Sequence, residues 1–387
     1  MFSMYAPTRL VFGSGALSEL QNQNMPGGKA MIVISSGKSG IRYLPGVEKQ
    51  LKQRGVESVI FNKVEAASPR KKTVEEGGMF ARENGCDFIV ALGGGSVIDA
   101  AKVMAMLASN PGDLWDYAVG GTGKGLVGAN KSLPVVAITT TAGTGSEMDM
   151  VGVVYNDEAQ EKIGFGREDM FPVLAITDPE LTLTVPPVFT AYQGFDALFH
   201  SVENYINAIG NIMSDTYALT AVKNIAEGLP VAVHDGNNLE AREKVTFGNT
   251  LSGLVMVTAA ISSMHGFDTG LCGYYPELPH GAGLIMMSIP YFSHFIKAHA
   301  CDDRYVKLAQ TMGMTNAKDP WDFIITLEKL HKDCGVADLK MSDFGIDPTD
   351  MLRYVKCARA TMGEVFTFDR ISLSDEDCVN IYKAAFK

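Results

Sequence analysis

Short apolar runs alternate with amphipathic stretches through the first half of the chain. The runs AMIVIS (30–35), SVIF (58–61) and DFIVAL (87–92) are rich in β-branched residues and are typical of buried strands. Apolar positions at helical spacing predict one helix over 44–54, between the first two runs, and another around 74–84, before the third. This rhythm predicts βαβ units that share a parallel sheet.

The pattern changes near residue 185, and we place a domain boundary there. Before it, a buried helix over 97–109 and further strands are predicted, the strands at 134–139, 150–156 and 173–177. After it, long helical patterns follow one another with no convincing strand between them, and 266–279 is interpreted as an irregular loop. The predicted helices cover 190–206, 213–229, 239–264, 282–296, 320–334 and 375–386. The expected domains are therefore 1–185, of α/β class, and 186–387, all helical.

Composition narrows the class of protein. A chain of 387 residues with 46% hydrophobic and 20% charged residues has ordinary globular usage and favours two domains. Its net charge of −11 disfavours nucleic acid or an anionic membrane as a partner. The six cysteines form no C-x-x-C pair, and neither a secretion signal nor a membrane-spanning run is recognisable. We therefore expect a cytoplasmic protein with reduced thiols and no membrane partner.

A glycine-rich turn joins the strand DFIVAL to the helix that follows it. Residues 93–96 read Gly-Gly-Gly-Ser, which places backbone N–H groups and a helix N-terminus at the carboxyl end of a parallel strand, where they can bind a phosphate. Ser96 and Asp99 have the spacing of a capping box at the helix start. A turn of this kind can also cap a helix without a ligand, and without the G-x-G-x-x-G order it does not identify the cofactor.

A second loop, rich in Thr and Gly, follows the predicted strand at 134–139. Residues 139–147 read TTTAGTGSE, which gathers hydroxyl groups and glycine amides at the carboxyl end of another strand. Taken alone, this stretch is also compatible with a solvated loop. Because parallel strands end at the same sheet edge, the two loops together predict a bound polyphosphate, and a dinucleotide in particular.

All seven histidines lie in the second half of the chain. Asp196 and His200 are spaced i,i+4, so a helix would project both from one face. His265 ends one apolar stretch and His280 precedes another, and both are costly places for an imidazole without a role. One Asp and three His offer nitrogen and oxygen donors without a thiolate, which suits Fe²⁺, Zn²⁺ or Mn²⁺.

Each of these candidates also has a purely structural interpretation. The Asp196 and His200 pair could be an ordinary helix surface pair, and His265 and His280 could be hydrogen-bonded core residues. The remaining histidines are interpreted as structural or solvated: His234, His294, His299 and His331.

Several motifs occur together in the order and approximate spacing of the iron-dependent (group III) alcohol dehydrogenases. They are GGGSVID (93–99), TTTAGTGSE (139–147), DPELTLTVPP (178–187), GFDALFH (194–200), the position of His265, and LPHGAGL (278–284). The similarity extends from APTRLVFGSGAL (6–17) to the C-terminal helices, so the chain resembles this family over nearly its whole length. The resemblance implies an α/β N-terminal nucleotide-binding domain plus an all-α C-terminal metal domain, the dehydroquinate synthase-like fold of the iron-containing alcohol dehydrogenases.

The resemblance also implies roles for individual residues. Asp196, His200, His265 and His280 would be the four ligands of Fe²⁺, with Zn²⁺ or Mn²⁺ as alternatives, and would act in catalysis through the metal. Residues implied to line the pyrophosphate are Gly94, Gly95, Ser96, Val97 and Ile98. Residues implied to lie near the rest of the dinucleotide are Thr139, Thr140 and Lys162.

The implied reaction is hydride transfer between a small primary alcohol or aldehyde and NAD(P). Apolar residues expected near the ligands favour short aliphatic or small aromatic alcohols: Phe195, Phe199, Val255 and Phe267. A polyol dehydrogenase of the glycerol type is the alternative on the same scaffold, whereas a dehydroquinate synthase would need basic residues that 194–206 and 264–284 lack. A non-enzymatic nucleotide- or metal-binding module is the alternative from another class.

Position 269 is one of the places where the chain departs from the family pattern. Many members carry a further histidine four residues after the third ligand, where this chain has Thr269. Thr269 cannot transfer a proton as an imidazole does, so proton release could use Thr269 with water, Asp268 or a ribose hydroxyl of the cofactor. The sequence leaves these three routes open.

The end of the strand AMIVIS (30–35) bears on the choice between NAD and NADP. NAD-preferring members resembling this chain carry an Asp just after the corresponding strand, where a carboxylate binds the ribose 2′-OH and repels a 2′-phosphate. Here Gly37 stands at that position and is followed by Lys38 and Ser39, so NADP(H) is expected to be preferred over NAD(H). A turn that tolerates both cofactors is the alternative.

The N-terminal segment predicts an oligomer. Residues 8–13 have the pattern of an edge strand, and similar family members pair such strands across subunits. We therefore expect a homodimer or a larger homo-oligomer.

Overall fold

The computed structural model describes residues 1–37, 40–65 and 67–386. The chain divides into two compact units: residues 5–184, and the residues from Val185 onward together with Met1–Met4. The first is an α/β unit with a parallel sheet and the second is helical, which confirms the predicted fold class.

A parallel sheet forms the centre of the first unit, with strand order β1-β8-β5-β4-β2-β3. The elements of this unit are β1 (Arg9–Phe12), β2 (Lys29–Ser35), α1 (Leu44–Gln53), β3 (Glu57–Val64), α2 (Lys71–Glu83), β4 (Phe88–Gly93), α3 (Gly95–Ser109), β5 (Val135–Thr139), β6 (Val151–Asn156), β7 (Glu161–Gly166) and β8 (Leu174–Thr177).

Alternate residues of β2 pack into two different cores. Met31 and Val33 join an apolar cluster that includes residues of α2 and α3. Ala30 and Ile32 join a second cluster that includes residues of α1. Successive side chains of a strand point to opposite faces, so this division shows helices covering both faces of the sheet. It also explains why AMIVIS is a continuous apolar run rather than an alternating one.

The predicted strand at 150–156 lies outside the main sheet. It forms β6, which pairs with β7 in a separate antiparallel hairpin. Gly152 of β6 packs against the backbone of α3, since a Cβ there would lie 2.6 Å from the carbonyl oxygen of Asp99. Strand β7 was not predicted, because its EKIGFG pattern combines two charged residues with two glycines.

The second unit is built from helices, and no β-strand occurs among its described residues. Its helices are α4 (Pro187–Ile206), α5 (Ile212–His234), α6 (Leu239–Ala259), α7 (Ser263–Cys272), α8 (His280–Lys297), α9 (Asp302–Thr311), α10 (Trp321–Asp333), α11 (Met351–Met362) and α12 (Asp375–Ala385). The helices α9 and α11 were not among those predicted.

The prediction of one helix over 239–264 is wrong, because the chain turns sharply at Ala260. This residue has a φ of 51°, in the left-handed region. The Asn204 side-chain amide donates to the Ala260 carbonyl oxygen at 2.7 Å, and that of Asn207 donates to the Ala259 carbonyl oxygen at 2.9 Å. These bonds satisfy carbonyl groups at the end of α6. The next helix, α7, leaves at an angle of 106°.

The interpretation of 266–279 as an irregular loop is also wrong in its first part, which belongs to α7. The glycines that suggested a loop allow close packing instead. A Cβ on Gly270 would lie 2.4 Å from the carbonyl oxygen of Tyr354 in α11. Here glycine indicates contact between two helices rather than a turn.

No single helix of the described residues is long and apolar enough to cross a membrane. Helices α6 and α7 together are long and apolar enough, but a bend of 106° separates them. Most residues of both helices are buried within the protein.

Candidate metal centre

One face of α4 carries two of the predicted ligands. The helix begins with Pro187 at its first position, where the missing N–H of proline costs no helical hydrogen bond. Asp196, His200 and Glu203 follow at i, i+4 and i+7, so they share a face. Glu203 was missed by the sequence analysis, although this spacing was a usable signal.

The other two histidines come from α7 and from the start of α8. His265 lies in the first turn of α7, after the bend at Ala260. His280 is the first residue of α8, directly after Pro279, which is the residue before the helix and has an extended backbone. The bend and the helix start therefore decide the direction in which each imidazole leaves the backbone.

All three imidazoles direct Nε2 to one oxygen of Asp196. The distance from Asp196 Oδ1 is 3.4 Å to His265 Nε2, 3.4 Å to His280 Nε2 and 3.7 Å to His200 Nε2. The ligand atoms of Asp196, His265 and His280 lie within 4.8 Å of one another. The structure thus brings together the four residues that the sequence analysis selected.

The cluster is shielded from solvent to different degrees. Asp196, His200 and His265 are buried, whereas the His280 side chain is 27% exposed. The rings of His200 and His265 stack with centroids 4.4 Å apart. His280 therefore forms the accessible side of the cluster.

The electrostatics of the cluster keep Asp196 ionised. Burial by itself raises the pKa of this carboxyl group, but His200 and His280 outweigh burial and hold the pKa well below its ordinary value. Burial lowers the pKa of His265, but the Glu203 carboxylate and the bond to Asp196 outweigh it, so the pKa is raised. An ionised oxygen surrounded by nitrogen donors is a suitable environment for a cation.

Carboxylates also contact the far side of two of the rings. Glu203 Oε1 lies 2.5 Å from His265 Nδ1, and Asp268 Oδ2 contacts His280 Nδ1. In proteins that bind metals through histidine, the second ring nitrogen commonly donates to a carboxylate in this way. One Asp oxygen and three Nε2 atoms, with no thiolate, fit Fe²⁺, Zn²⁺ or Mn²⁺.

The two predicted phosphate loops lie side by side in the first unit. Gly93 and Thr139 are paired in register at the ends of β4 and β5. A Cβ on Gly94 would lie 2.8 Å from the Thr141 side chain, and one on Gly95 would lie 2.3 Å from that of Thr144. The glycines therefore allow the two loops to pack against each other.

The start of α3 differs from the predicted capping box. The residue before the helix is Gly94, and no side chain caps it. Val97 and Ile98 are buried, and their amides donate to the carbonyl oxygen of Gly94. Asp99 instead accepts a hydrogen bond from the Ser146 hydroxyl at 2.5 Å, which joins α3 to the Thr- and Gly-rich loop.

The remaining predicted cofactor residues occupy varied environments. Thr139, Thr140 and Lys162 are buried, and the Thr140 hydroxyl has no hydrogen-bond partner among the described residues. A buried hydroxyl without a partner fits a ligand that supplies one. Gly37 is exposed after β2, whereas Lys38 and Ser39 lie outside the described residues.

Two family models match the chain. The model described as iron-containing alcohol dehydrogenase matches residues 7–179, and that of the C-terminal region of the Fe-containing alcohol dehydrogenase family matches residues 190–386. The chain belongs to the iron-containing alcohol dehydrogenase family. It is therefore a member of an oxidoreductase family whose name implies a metal, in agreement with the donors described above.

Individual relatives cover most or all of this family member. Alcohol dehydrogenase 4 of Saccharomyces cerevisiae (strain YJM789) is 34% identical over 72% of this chain and 71% of its own. The 1,3-propanediol dehydrogenase of Klebsiella pneumoniae is 30% identical over 100% of this chain and 99% of its own. The solved structure of an archaeal halo-thermophilic Red Sea brine pool alcohol dehydrogenase has a TM-score of 0.93 at 30% identity, covering 100% of this chain and 99% of that one.

The other histidines of this family member lie outside the cluster. His234 Nε2 is 2.8 Å from the carbonyl oxygen of Asp333, and His299 Nδ1 is 2.8 Å from Asp302. His331 is buried with its ring 4.9 Å from that of Phe195. The ring of His294 packs against Phe295.

The apolar residues expected to line a substrate pocket belong to the core instead. Phe195, Phe199 and Val255 are fully buried, and Phe267 is 1% exposed. The packing of the helices covers their side chains. They therefore carry no information about the alcohol that binds.

Proposed function

We propose that this chain is a metal-dependent alcohol dehydrogenase and aldehyde reductase that transfers a hydride between a small primary alcohol and NADP(H). The convergence of three imidazole Nε2 atoms on Asp196 Oδ1, in a chain of this family, carries the proposal. Asp196, His200, His265 and His280 would hold the divalent metal, and Fe²⁺ is the first choice because of the family.

The residues of the cluster would bind and orient the substrate oxygen. When bound, a divalent metal supplies Lewis-acid chemistry, which lowers the pKa of an alcohol and polarises an aldehyde. The partial exposure of His280 marks the side of the cluster that a small molecule reaches. For proton release, Asp268 already directs Oδ2 to His280, which favours Thr269 with water or a ribose hydroxyl over Asp268.

The loops of the first unit would hold the dinucleotide. The N-terminus of α3 and the hydroxyl-rich loop 139–147 lie at one sheet edge, where a pyrophosphate would meet a helix N-terminus. The unpartnered Thr140 hydroxyl supports a ligand at this edge. Position 37 is a glycine and not an acid, which supports a preference for NADP(H), since a carboxylate at this position would repel a 2′-phosphate.

A polyol dehydrogenase is the second candidate on this scaffold. The relative from Klebsiella pneumoniae is named for a diol, which supports a substrate with two hydroxyl groups. The two candidates differ in the substrate that gives the higher kcat/KM, and both require the same metal cluster.

The proposal is tested by metal analysis and turnover of the same preparation. We expect about one divalent metal per chain and loss of NADPH fluorescence when butyraldehyde is added. A panel of short alcohols, glycerol and 1,3-propanediol, with each nicotinamide cofactor, separates the two candidates. Metal-loaded protein that turns over no alcohol, diol or aldehyde with either cofactor would contradict the proposal.

A further inference from the structure

A buried carboxylate on α7 faces the imidazole at the start of α8. Asp268 is fully buried, and its Oδ2 contacts Nδ1 of His280. The thiol of Cys272, one turn further along α7, donates to the same oxygen at 3.3 Å. Burial of a carboxylate is costly unless hydrogen bonds and charge compensate it, so this contact is a strong local restraint on the ring.

The neighbouring helix is shaped to receive this carboxylate. A Cβ on Gly283, one turn after His280, would lie 1.9 Å from Asp268 Oδ1. No side chain larger than hydrogen fits there while the carboxylate keeps its place. Gly283 has no positive φ, so close approach to Asp268 is the reason for glycine at this position.

His280 needs such a restraint more than the other histidines of the cluster. Its side chain is 27% exposed, compared with 5% for His265 and 7% for His200. Packing therefore holds its ring less firmly. A neutral imidazole has one protonated and one unprotonated nitrogen, and only the latter can bind a metal.

We propose that Asp268 is a positioning residue for His280: it accepts a hydrogen bond from Nδ1–H and so keeps Nε2 unprotonated and directed at Asp196. The inference rests on the proposed metal site. In this role Asp268 strengthens metal binding and does not take part in proton release. Loss of a hydrogen bond between a carboxylate and a metal-ligating histidine commonly weakens metal affinity by about 10- to 100-fold.

The test measures Zn²⁺ affinity by competition with a chelator, because Zn²⁺ does not change oxidation state. We expect Asp268→Ala to weaken Zn²⁺ binding by about 10- to 100-fold. Asp268→Asn keeps an oxygen that can accept a hydrogen bond from Nδ1–H and should lose less affinity than Asp268→Ala. Gly283→Ala leaves the carboxylate present but displaces it, and should weaken binding as Asp268→Ala does.

A matched control removes another carboxylate of the same unit. Asp215 pairs with Arg304 at 2.8 Å and contacts no histidine of the cluster, so Asp215→Asn should bind Zn²⁺ as the unmodified chain does. Long-range ¹H–¹⁵N spectra of histidine-labelled, metal-free protein report the tautomer directly. We expect His280 to carry its proton on Nδ1 in the unmodified chain and to populate both tautomers in Asp268→Ala.

The outcomes separate the inference from the function on which it rests. An unmodified chain that binds no Zn²⁺ or Fe²⁺ overturns the metal site itself. Tight binding by the unmodified chain with equal affinity in folded Asp268→Ala overturns only the positioning role. If Asp268→Ala does not fold, Asp268→Asn and Gly283→Ala decide, and unchanged affinity in both overturns the inference.

Discussion

Lys102 and Asp149 form a buried ion pair, with 2.8 Å between Nζ and Oδ1. Lys102 is fully buried, and Nζ also donates to the Ser146 hydroxyl and to the carbonyl oxygen of Val151. The Ser146 hydroxyl in turn donates to Asp99. Helix α3, the Thr- and Gly-rich loop and the start of β6 are therefore joined through one ammonium group.

Replacing Lys102 by methionine should destabilise the protein strongly. The change leaves the carboxylate of Asp149 buried without its cation, which typically costs about 3–5 kcal/mol. Urea unfolding of Lys102→Met measures the loss. Lys63→Met is the control, because it breaks the exposed pair with Glu76 and should cost at most about 1 kcal/mol. If Lys102→Met lowers the free energy of unfolding as little as Lys63→Met does, the buried pair contributes little to stability.

Asp99 should make stability depend on pH in a defined direction. Burial raises the pKa of Asp99 to about 6, although Lys102 and the Ser146 hydroxyl oppose the rise. The folded state thus holds this proton more tightly than the unfolded state, whose pKa is about 3.9. Stability contributed by Asp99 is therefore present at low pH and is lost as pH rises from about 4 to about 6.

The matching experiment compares the unmodified chain with Asp99→Asn at several pH values. The free energy of unfolding of the unmodified chain, relative to Asp99→Asn, should fall by up to about 3 kcal/mol between pH 4 and pH 7. Asp343→Asn removes an exposed carboxylate and serves as the charge control. A difference that stays constant with pH would mean that Asp99 does not titrate in this range.

Removing any one of the four proposed ligands should abolish both metal binding and turnover. His280→Ala is the most informative variant, because its partly exposed side chain contributes least to the core. Circular dichroism should show a folded protein, and elemental analysis should show loss of metal. His299→Ala is the control, since this exposed histidine pairs only locally with Asp302. Full metal occupancy with normal turnover in His280→Ala would rule out this ligand set.

Gly37 should decide between the two nicotinamide cofactors. We expect kcat/KM to be at least about tenfold higher with NADPH than with NADH, which is about 1.4 kcal/mol of transition-state binding. Among the described residues, the atom nearest to a Cβ on Gly37 is Ser35 Oγ at 3.7 Å, and the backbone has no positive φ, so these residues leave room for a larger side chain. Gly37→Asp should erase or reverse the preference, because its charge repels a 2′-phosphate.

The variant Gly37→Asn, in which the new side chain has the same size as in Gly37→Asp, separates the effect of charge from that of size. It should keep the preference for NADPH, since an amide carries no charge. If the unmodified enzyme uses NADH as well as or better than NADPH, Gly37 is only a turn residue.

The open edge at β1 should pair with a second copy of the chain. This strand is the first in the sheet order and bonds only to β8 among the described strands, with Leu10 37% exposed. The backbone N–H groups of Arg9 and Gly13 donate to carbonyl oxygens on the β8 side. Because successive N–H groups of a strand point to opposite sides, the N–H of Leu10 points away from β8. Light scattering should give at least a dimer mass, and Leu10→Pro, which removes an outward N–H, should lower it. A monomer mass for the unmodified chain at micromolar concentration would contradict the prediction.

Local sequence determined most of the α/β unit. The runs that became β2, β4 and β5 were predicted within about one residue, because strands buried on both faces must be continuously apolar. The i,i+4 spacing of Asp196 and His200 also needed no tertiary information, since helical geometry alone places them on one face. The same geometry places Glu203 on this face, so its position beside the cluster could also have been predicted from the sequence.

Only the tertiary structure decided how the rest of the cluster forms. His265 reaches Asp196 because the chain bends at Ala260, and that bend is held by the side-chain amides of Asn204, in α4, and Asn207, directly after it. Asp268 meets His280 because glycine at 283 lets two helices approach closely. These contacts join residues that no local period relates, so the pattern along the chain indicates the donor types but not which nitrogen each histidine presents.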